Sequence, residues 1–224
     1  MKIISILGSP RGKKSNTGRL LEEVQKGARH WGATCETIQL KGASVLPCLG
    51  CDKCHVTGWC VQKDEFESIK GKILAADGLI LASPNYIFSV SAQLKAFMDR
   101  CCGVLHCMSF EGKYGASIVT SGGGDEKPIT DYMNHFLITT GISPVGALGV
   151  TMGNLADEQF TDEIRGQAFA LGEELVLSWK GKKRSKRVDK KMAAFKTRME
   201  WLISYRKREW PYEYDFWRTR RGMK

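Results

Sequence analysis

The sequence predicts an α/β fold: a doubly wound, five-stranded parallel sheet in the order 2-1-3-4-5, followed by a basic, aromatic C-terminal helical extension. Three observations predict it. Ile3, Ile4, Ile6 and Leu7 form a short apolar run that passes through a hydroxyl-rich loop into Leu20, Leu21, Val24, Ala28 and Trp31 at helical spacing. From residue 33 to residue 180, apolar runs then alternate with helical patterns, the mark of a parallel sheet covered on both faces. Right-handed crossovers between such units give the stated strand order.

After the first strand, further strands are expected near residues 34–40, 78–83, 114–121 and 144–151. Ser91 is placed to cap a helix whose inward face is Leu94, Phe97, Met98, Cys101 and Cys102. Later helices run through Tyr132, Met133 and Phe136, and through Ile164, Ala168, Leu171 and Leu175. In a sheet of this order, ligands collect beyond the carboxyl ends of the strands, at the switch point between the first and third.

The loop from Gly8 to Thr17 lies on that edge and reads Gly-Ser-Pro-Arg-Gly-Lys-Lys-Ser-Asn-Thr. A helix N-terminus offers unpaired N–H groups and the positive end of a dipole to an anion, and Ser9, Ser15 and Thr17 can add hydroxyls to them. Arg11 adds a forked cation. The alternative is an ordinary strand-to-helix connection with Thr17 as a plain N-cap. The loop lacks both the Gly-Lys-Ser/Thr ending and the Gly-x-Gly-x-x-Gly spacing, which argues against ATP or NAD held in those modes. A phosphate monoester, as carried by FMN, suits several donors at once.

Two more loops reach the same edge. Ser83 to Ser91 carries Pro84, Asn85, Tyr86, Ile87 and Phe88, and Thr120 to Gly124 carries Ser121 and three glycines. Backbone amides of a glycine run can approach a ring edge, and Tyr86 or Phe88 can lie against a planar face. Taken singly these would be turn glycines and core aromatics; their common position favours a flat ligand.

Cys48, Cys51, Cys54 and Cys60 give the spacing C-x2-C-x2-C-x5-C after the second strand. Gly50 and Gly58 let the backbone wrap. Four thiolates on one short loop suit zinc or an iron-sulfur cluster, and closely repeated two-residue gaps favour [4Fe-4S]. Thiols without a metal are the remaining alternative. The loop emerges on the same sheet edge as the phosphate loop, so a cluster and a flavin are expected to be neighbours. His55, inside the motif, is either an alternative ligand or a solvent-facing neighbour, with the second favoured; His30 and His135 are expected to be structural, and Cys35, Cys101, Cys102 and Cys107 to pack in the core.

The chain has 224 residues, 42% of them hydrophobic, enough for a substantial core. No stretch has the apolar length needed to cross a bilayer, and the chain starts directly into a strand, so no membrane partner and a cytoplasmic location are expected. The net charge of +10 comes entirely from the tail: residues 181–224 hold 16 Lys and Arg against 5 Asp and Glu. Val188, Met192, Phe195, Met199, Leu202 and Ile203 recur there at helical spacing, and Trp201, Tyr205, Trp210, Tyr212, Tyr214, Phe216 and Trp217 follow. A helix docked on the domain or on a neighbouring subunit is expected, rather than a solvated tail. Residues 1–180 are expected to form an FMN-binding domain with a cysteine-rich loop at 42–64, and residues 181–224 the extension.

With these residues assembled, the chain resembles the NADPH-dependent FMN reductase group of the flavodoxin-like superfamily, and more narrowly the iron-sulfur flavoproteins. The resemblance covers residues 1–180 and rests on Gly8-Ser9-Pro10-Arg11 with Ser15-Asn16-Thr17, on Ser83-Pro84-Asn85-Tyr86 leading into Gln93 to Arg100, and on the cysteine motif. It implies that Ser9, Arg11, Ser15, Asn16 and Thr17 hold the FMN phosphate. Pro84, Asn85, Tyr86, Ile87 and Phe88 would line the isoalloxazine, and Ser121, Gly122 and Gly123 would close its far edge. Cys48, Cys51, Cys54 and Cys60 would hold a [4Fe-4S] cluster. Relatives in the group generally form dimers or tetramers, which implies a homodimer or homotetramer.

The expected function is an FMN-dependent oxidoreductase that takes electrons from NAD(P)H or a ferredoxin-like carrier and passes them to a small-molecule redox acceptor. The flavin does the chemistry, so no catalytic side chain is nominated, and Asp99 and Arg100 are assigned to anchoring their helix. The rivals are a non-catalytic electron carrier or redox sensor and, well behind, a nucleic-acid binder using Lys182 to Arg187.

Overall fold

Strand β1 (Lys2–Leu7) is buried from its second residue onward, because a parallel strand at the centre of a sheet is covered on both faces. Its side chains alternate: Ile3 and Leu7 join one core, Ile4 and Ile6 the other. The computed structural model describes residues 1–42 and 44–223; Ala43 of the cysteine-rich loop and Lys224 of the extension lie outside it. The remaining strands are β2 (Thr34–Gln39), β3 (Gly78–Pro84), β4 (Tyr114–Ser121) and β5 (Ser143–Thr151). They form one five-stranded sheet in the order β2-β1-β3-β4-β5, with every neighbouring pair parallel. Both the strand positions and the order match the sequence expectation.

One face carries α1 (Asn16–His30) and α7 (Asp162–Lys180); the other carries α3 (Phe66–Leu74), α4 (Ala92–Arg100) and α6 (Glu126–Thr140). Helices α1 and α7 meet backbone to backbone. A Cβ on Gly27 would stand 1.9 Å from the Phe169 carbonyl oxygen, and one on Gly172 would stand 1.9 Å from that of Val24. These glycines set the crossing distance and thereby the angle at which α1 enters the edge of the sheet.

Helix α4 starts where the sequence places it. Ser91 is its N-cap and accepts from the Leu94 N–H at 3.3 Å. The same hydroxyl donates to the Gly8 carbonyl at 2.7 Å, tying the loop after β1 to the loop after β3. At the other end of α4, Arg100 reaches Asp64 at 2.7 and 3.2 Å, with side chains 0% and 6% exposed. Arg100 also donates to the Leu46 carbonyl at 3.0 Å, and Asp64 accepts from the Leu46 N–H at 2.9 Å. Residues 46 and 64 are thus clamped together, and the cysteine segment projects from a closed base. Burial raises the cost of ionising Asp64, but Arg100 and the Leu46 and Phe66 amides outweigh it and hold the carboxyl below its ordinary value. Arg100 anchors its helix as expected, whereas Asp99 pairs only with Lys95 on the same helix.

The cysteine segment contains one helical turn, α2 (Lys53–Thr57), where the spacing suggested irregular loop alone. After α4, the short α5 (Cys102–Cys107) leads toward β4. The chain then ends in α8 (Lys186–Tyr205) and α9 (Pro211–Arg221). Met199, Ile203, Trp217 and Met223 form a small core of their own that packs on Leu105, and Trp217 donates its indole N–H to the His106 carbonyl at 3.1 Å. The aromatic tail is docked, as its composition predicts. No helix among the described residues is long and apolar enough to cross a membrane.

Two substitutions test these contacts. Asp64→Asn leaves a buried guanidinium unpaired and is expected to lower unfolding stability by about 3–5 kcal/mol in a urea titration. Because the carboxyl is depressed in the folded state, its contribution is complete above about pH 4 and is lost as pH falls through the folded value. The gap between wild type and variant therefore closes in acid. Gly172→Ala is expected to cost about 1–3 kcal/mol by forcing α1 and α7 apart, with the strands' circular dichroism unchanged.

Candidate functional site

Helix α1 begins at Asn16, and its N-cap is Ser15 rather than Thr17. The Ser15 hydroxyl accepts from the Gly18 N–H at 3.0 Å and donates to the Gly12 carbonyl at 2.6 Å. It shapes the loop and has little capacity left for a ligand. The first intrahelical bond is made by the Arg19 N–H to the Ser15 carbonyl, so the N–H groups of Asn16 and Thr17 stand at the open end of the helix. Ser9 is buried beside them, and Arg11 is exposed at the rim.

The three predicted loops converge on one cavity of about 260 Å3. It is lined by Ser9, Arg11, Ser15, Asn16 and Thr17 from the first loop, by Pro84, Asn85 and Tyr86 from the second, and by Ser121 and Gly122 from the third. Thr120, at the start of the predicted third loop, completes the wall with Met152 and Glu158, to which no sequence pattern pointed. Thr120 shares a 2.7 Å hydrogen bond with Thr17, closing the loop after β4 onto α1. Glu158 comes from a 3-10 turn after β5 and accepts from the Asn16 amide at 2.8 Å. Arg19 binds the Glu158 carbonyl at 3.1 Å and the Asn16 side-chain oxygen at 3.1 Å, so the segment after β5 is laced over the phosphate loop.

Ile87, Phe88 and Gly123 do not line the cavity. Ile87 and Phe88 occupy the two central positions of a tight turn closed by Tyr86 and Ser89 at 3.0 and 3.2 Å, both with positive φ (48° and 59°). That turn aims both side chains away from the core, leaving them 90% and 75% exposed. Left-handed backbone at a β-branched residue is strained, and such strain persists where the surroundings impose it. Ser121 lines the wall, but its hydroxyl donates to Glu126, which also accepts from Thr151 at 2.6 Å. Burial disfavours the Glu126 carboxylate, yet these two hydroxyls and its own amide hold its pKa below the ordinary value.

The donor set fits FMN. A helix N-terminus, Arg11 and a buried serine meet the needs of a phosphate monoester. Asn85 donates its amide to the Gly124 carbonyl at 3.0 Å, while its side-chain oxygen is buried with no partner, an acceptor suited to a ring N–H. Glu158 is the one carboxylate in the wall.

Cys48 and Cys51 are exposed, Cys54 and Cys60 half-buried, and all four are free thiols. The Gly50 N–H approaches the Cys48 sulfur at 3.4 Å, and Gly50, Asp52 and Gly58 turn the loop with φ of 61°, 56° and 78°. Cys54 and Cys60 line a common cavity of about 70 Å3 with Lys70, Arg100 and Glu67. Free thiols and an N–H bond to sulfur are compatible with iron-sulfur ligation. The cavity lies at the Arg100 end of α4, whereas the first cavity lies at the Ser91 end and shares no lining residue with it.

Two further expectations are corrected. His55 is 3% exposed instead of facing solvent, and Cys102 faces His55 and His106 instead of packing in the apolar core. The cause is Glu213 of α9, fully buried, which accepts from both imidazoles. Burial opposes charge on both rings, but hydrogen bonds with Cys102 and Glu213 raise their pKa values; the thiol and the carboxyl are both lowered. Cys101 and Cys107 are buried as expected, and burial pushes both thiols up.

Residues 1–157 match the family described as NADPH-dependent FMN reductase. An iron-sulfur flavoprotein of Archaeoglobus fulgidus is 33% identical over 98% of this chain and 99% of its own length, which includes the C-terminal extension. Another, from Methanocaldococcus jannaschii, is 38% identical over 62% of this chain and 72% of that protein. Among solved structures, an apo NADH:FMN oxidoreductase superposes with a TM-score of 0.59 at 22% identity, over 83% of this chain and 90% of that one. The fold, the cavity at the switch point and these similarities agree: the chain belongs to the NADPH-dependent FMN reductase family and is a flavin-dependent oxidoreductase of flavodoxin-like fold.

Proposed function

We propose that the protein moves electrons from NAD(P)H or a ferredoxin-like carrier to a small redox acceptor through FMN at the switch-point cavity, with a [4Fe-4S] cluster on Cys48, Cys51, Cys54 and Cys60. The observation that carries this reading is the convergence of three loops on a cavity with a helix N-terminus at one end and the unpaired Asn85 oxygen in its wall. Bound FMN supplies two-electron and one-electron redox chemistry, and a cluster would supply single-electron steps.

In this reading the open N–H groups of Asn16 and Thr17, with Ser9 and Arg11, take the phosphate, while Ser15 and Asn16 hold the loop in shape. Asn85 orients the ring system by accepting a hydrogen bond, and Pro84 and Tyr86 flank it. Ser121 fixes the glycine loop through Glu126, and Gly122 and Gly123 present backbone at the far edge. Ile87 and Phe88 stand outside the cavity as a hydrophobic prong, which supports a homodimer or homotetramer and contact with an acceptor over the isoalloxazine position.

Arg11→Ala is expected to weaken FMN binding about tenfold, read from flavin fluorescence quenching, through loss of one charge-assisted contact. Unchanged affinity would remove Arg11 from the phosphate site. Cys51→Ser, expressed and purified without oxygen, is expected to lose iron and the broad brown absorption while keeping its flavin content; unchanged iron would refute the cluster assignment.

A further inference from the structure

Beneath the C-terminal helix lies a cluster of metal-binding groups outside the flavin cavity, with His55 of the cysteine segment as its one member from within the four-cysteine motif. His55 Nε2, His106 Nε2 and Cys102 Sγ lie within 4.8 Å of one another. The sulfur stands 3.8 Å from the first nitrogen and 3.9 Å from the second. Both Nδ1–H groups donate to one carboxylate, His55 to Glu213 Oε1 at 2.5 Å and His106 to Oε2 at 3.0 Å. With each Nδ1 committed to the carboxylate, both Nε2 atoms are turned toward one sulfur.

We propose that His55, Cys102 and His106 form a binding site for one divalent ion of the zinc class, with Glu213 orienting both imidazoles. With Zn–S near 2.3 Å and Zn–N near 2.0–2.1 Å, ligand angles between tetrahedral and trigonal place sulfur and nitrogen about 3.5–3.8 Å apart. The observed spacings need only a small contraction. Two imidazoles and a thiolate, with no oxygen among the three, select a borderline ion over magnesium or calcium. The charges also match: one thiolate and one buried carboxylate balance a dication.

A metal ion satisfies all three donors together. The surroundings are those of a structural site: the Trp210 ring lies 4.6 Å from His55 and 5.0 Å from His106, shielding one side. Asp52 Oδ1, 3.6 Å from His55 Nε2 and largely exposed, marks the open side, where a fourth ligand can enter. His55 belongs to α2, Cys102 and His106 to α5, and Glu213 and Trp210 to the tail, so an ion here would rivet the cysteine segment and the extension to the body of the domain.

The test separates this site from the four-cysteine loop by removing two exposed members of the latter, Cys48→Ser with Cys51→Ser. That protein, stripped with a chelator, is titrated with cobalt(II). One cobalt per chain with thiolate-to-metal charge-transfer absorption, displaced one-for-one by zinc, is the expected result. Adding Cys102→Ser should abolish the charge-transfer band, and Glu213→Gln should weaken binding about 10- to 100-fold. Flavin binding at the opposite end of α4 reports that each variant is folded. Absence of the band in the double serine variant, or its persistence after Cys102→Ser, overturns the proposal. Should Cys102→Ser fail to bind flavin, retention of the band in a folded His106→Ala protein at undiminished affinity overturns it equally.

Discussion

The Ser91 hydroxyl holds the switch-point edge of the sheet together. It caps α4 by accepting from Leu94 and at the same time donates to the Gly8 carbonyl, while its own N–H is bound by Ser83 Oγ at 2.9 Å. Three segments distant in sequence are thereby fixed: the start of the phosphate loop, the end of β3 and the first turn of α4. A parallel sheet leaves a crevice at its switch point for topological reasons alone. What turns that crevice into a cavity of defined shape is this group of short, buried hydrogen bonds, together with the Thr17–Thr120 pair on the opposite wall.

The sheet and its order were legible because centrally buried parallel strands are nearly continuous apolar runs, and Ile3 to Leu7 and Leu79 to Ala82 are almost fully enclosed. The loops could then be assigned to one edge by topology, without knowledge of any side chain. What could not be read was how each hydroxyl would spend its hydrogen bonds. Ser15 and Ser121 lie in the predicted loops, yet their oxygens are committed to Gly12 and Glu126, and the space of the ligand is left to backbone N–H groups. Glu158 escaped notice for a similar reason: its place over the phosphate loop depends on Asn16 and Arg19, contacts more than a hundred residues apart in sequence.

Histidine 55 shows the limit most clearly. Set in a cysteine-rich loop, it has no local pattern that implies burial, and its partner Glu213 is 158 residues away. The available signal was in the tail itself, where a single glutamate sits among Trp210, Tyr212, Tyr214 and Trp217. An acidic residue on the apolar face of a docked helix must find cations or donors beneath it. The basic residues of the same tail are mostly exposed, while Arg221 turns inward to the Cys107 and Met108 carbonyls.

The position of Glu213, 107 residues beyond His106, orders events during biosynthesis. Domains acquire structure from the N-terminal side as they leave the ribosome. The sheet and its switch-point crevice can therefore form while α9 is still inside the exit tunnel. His55, Cys102 and His106 must wait, facing water, until α9 emerges to cover them. This part of the fold is thus completed in two stages, with oxidation-sensitive sulfur shielded only in the second.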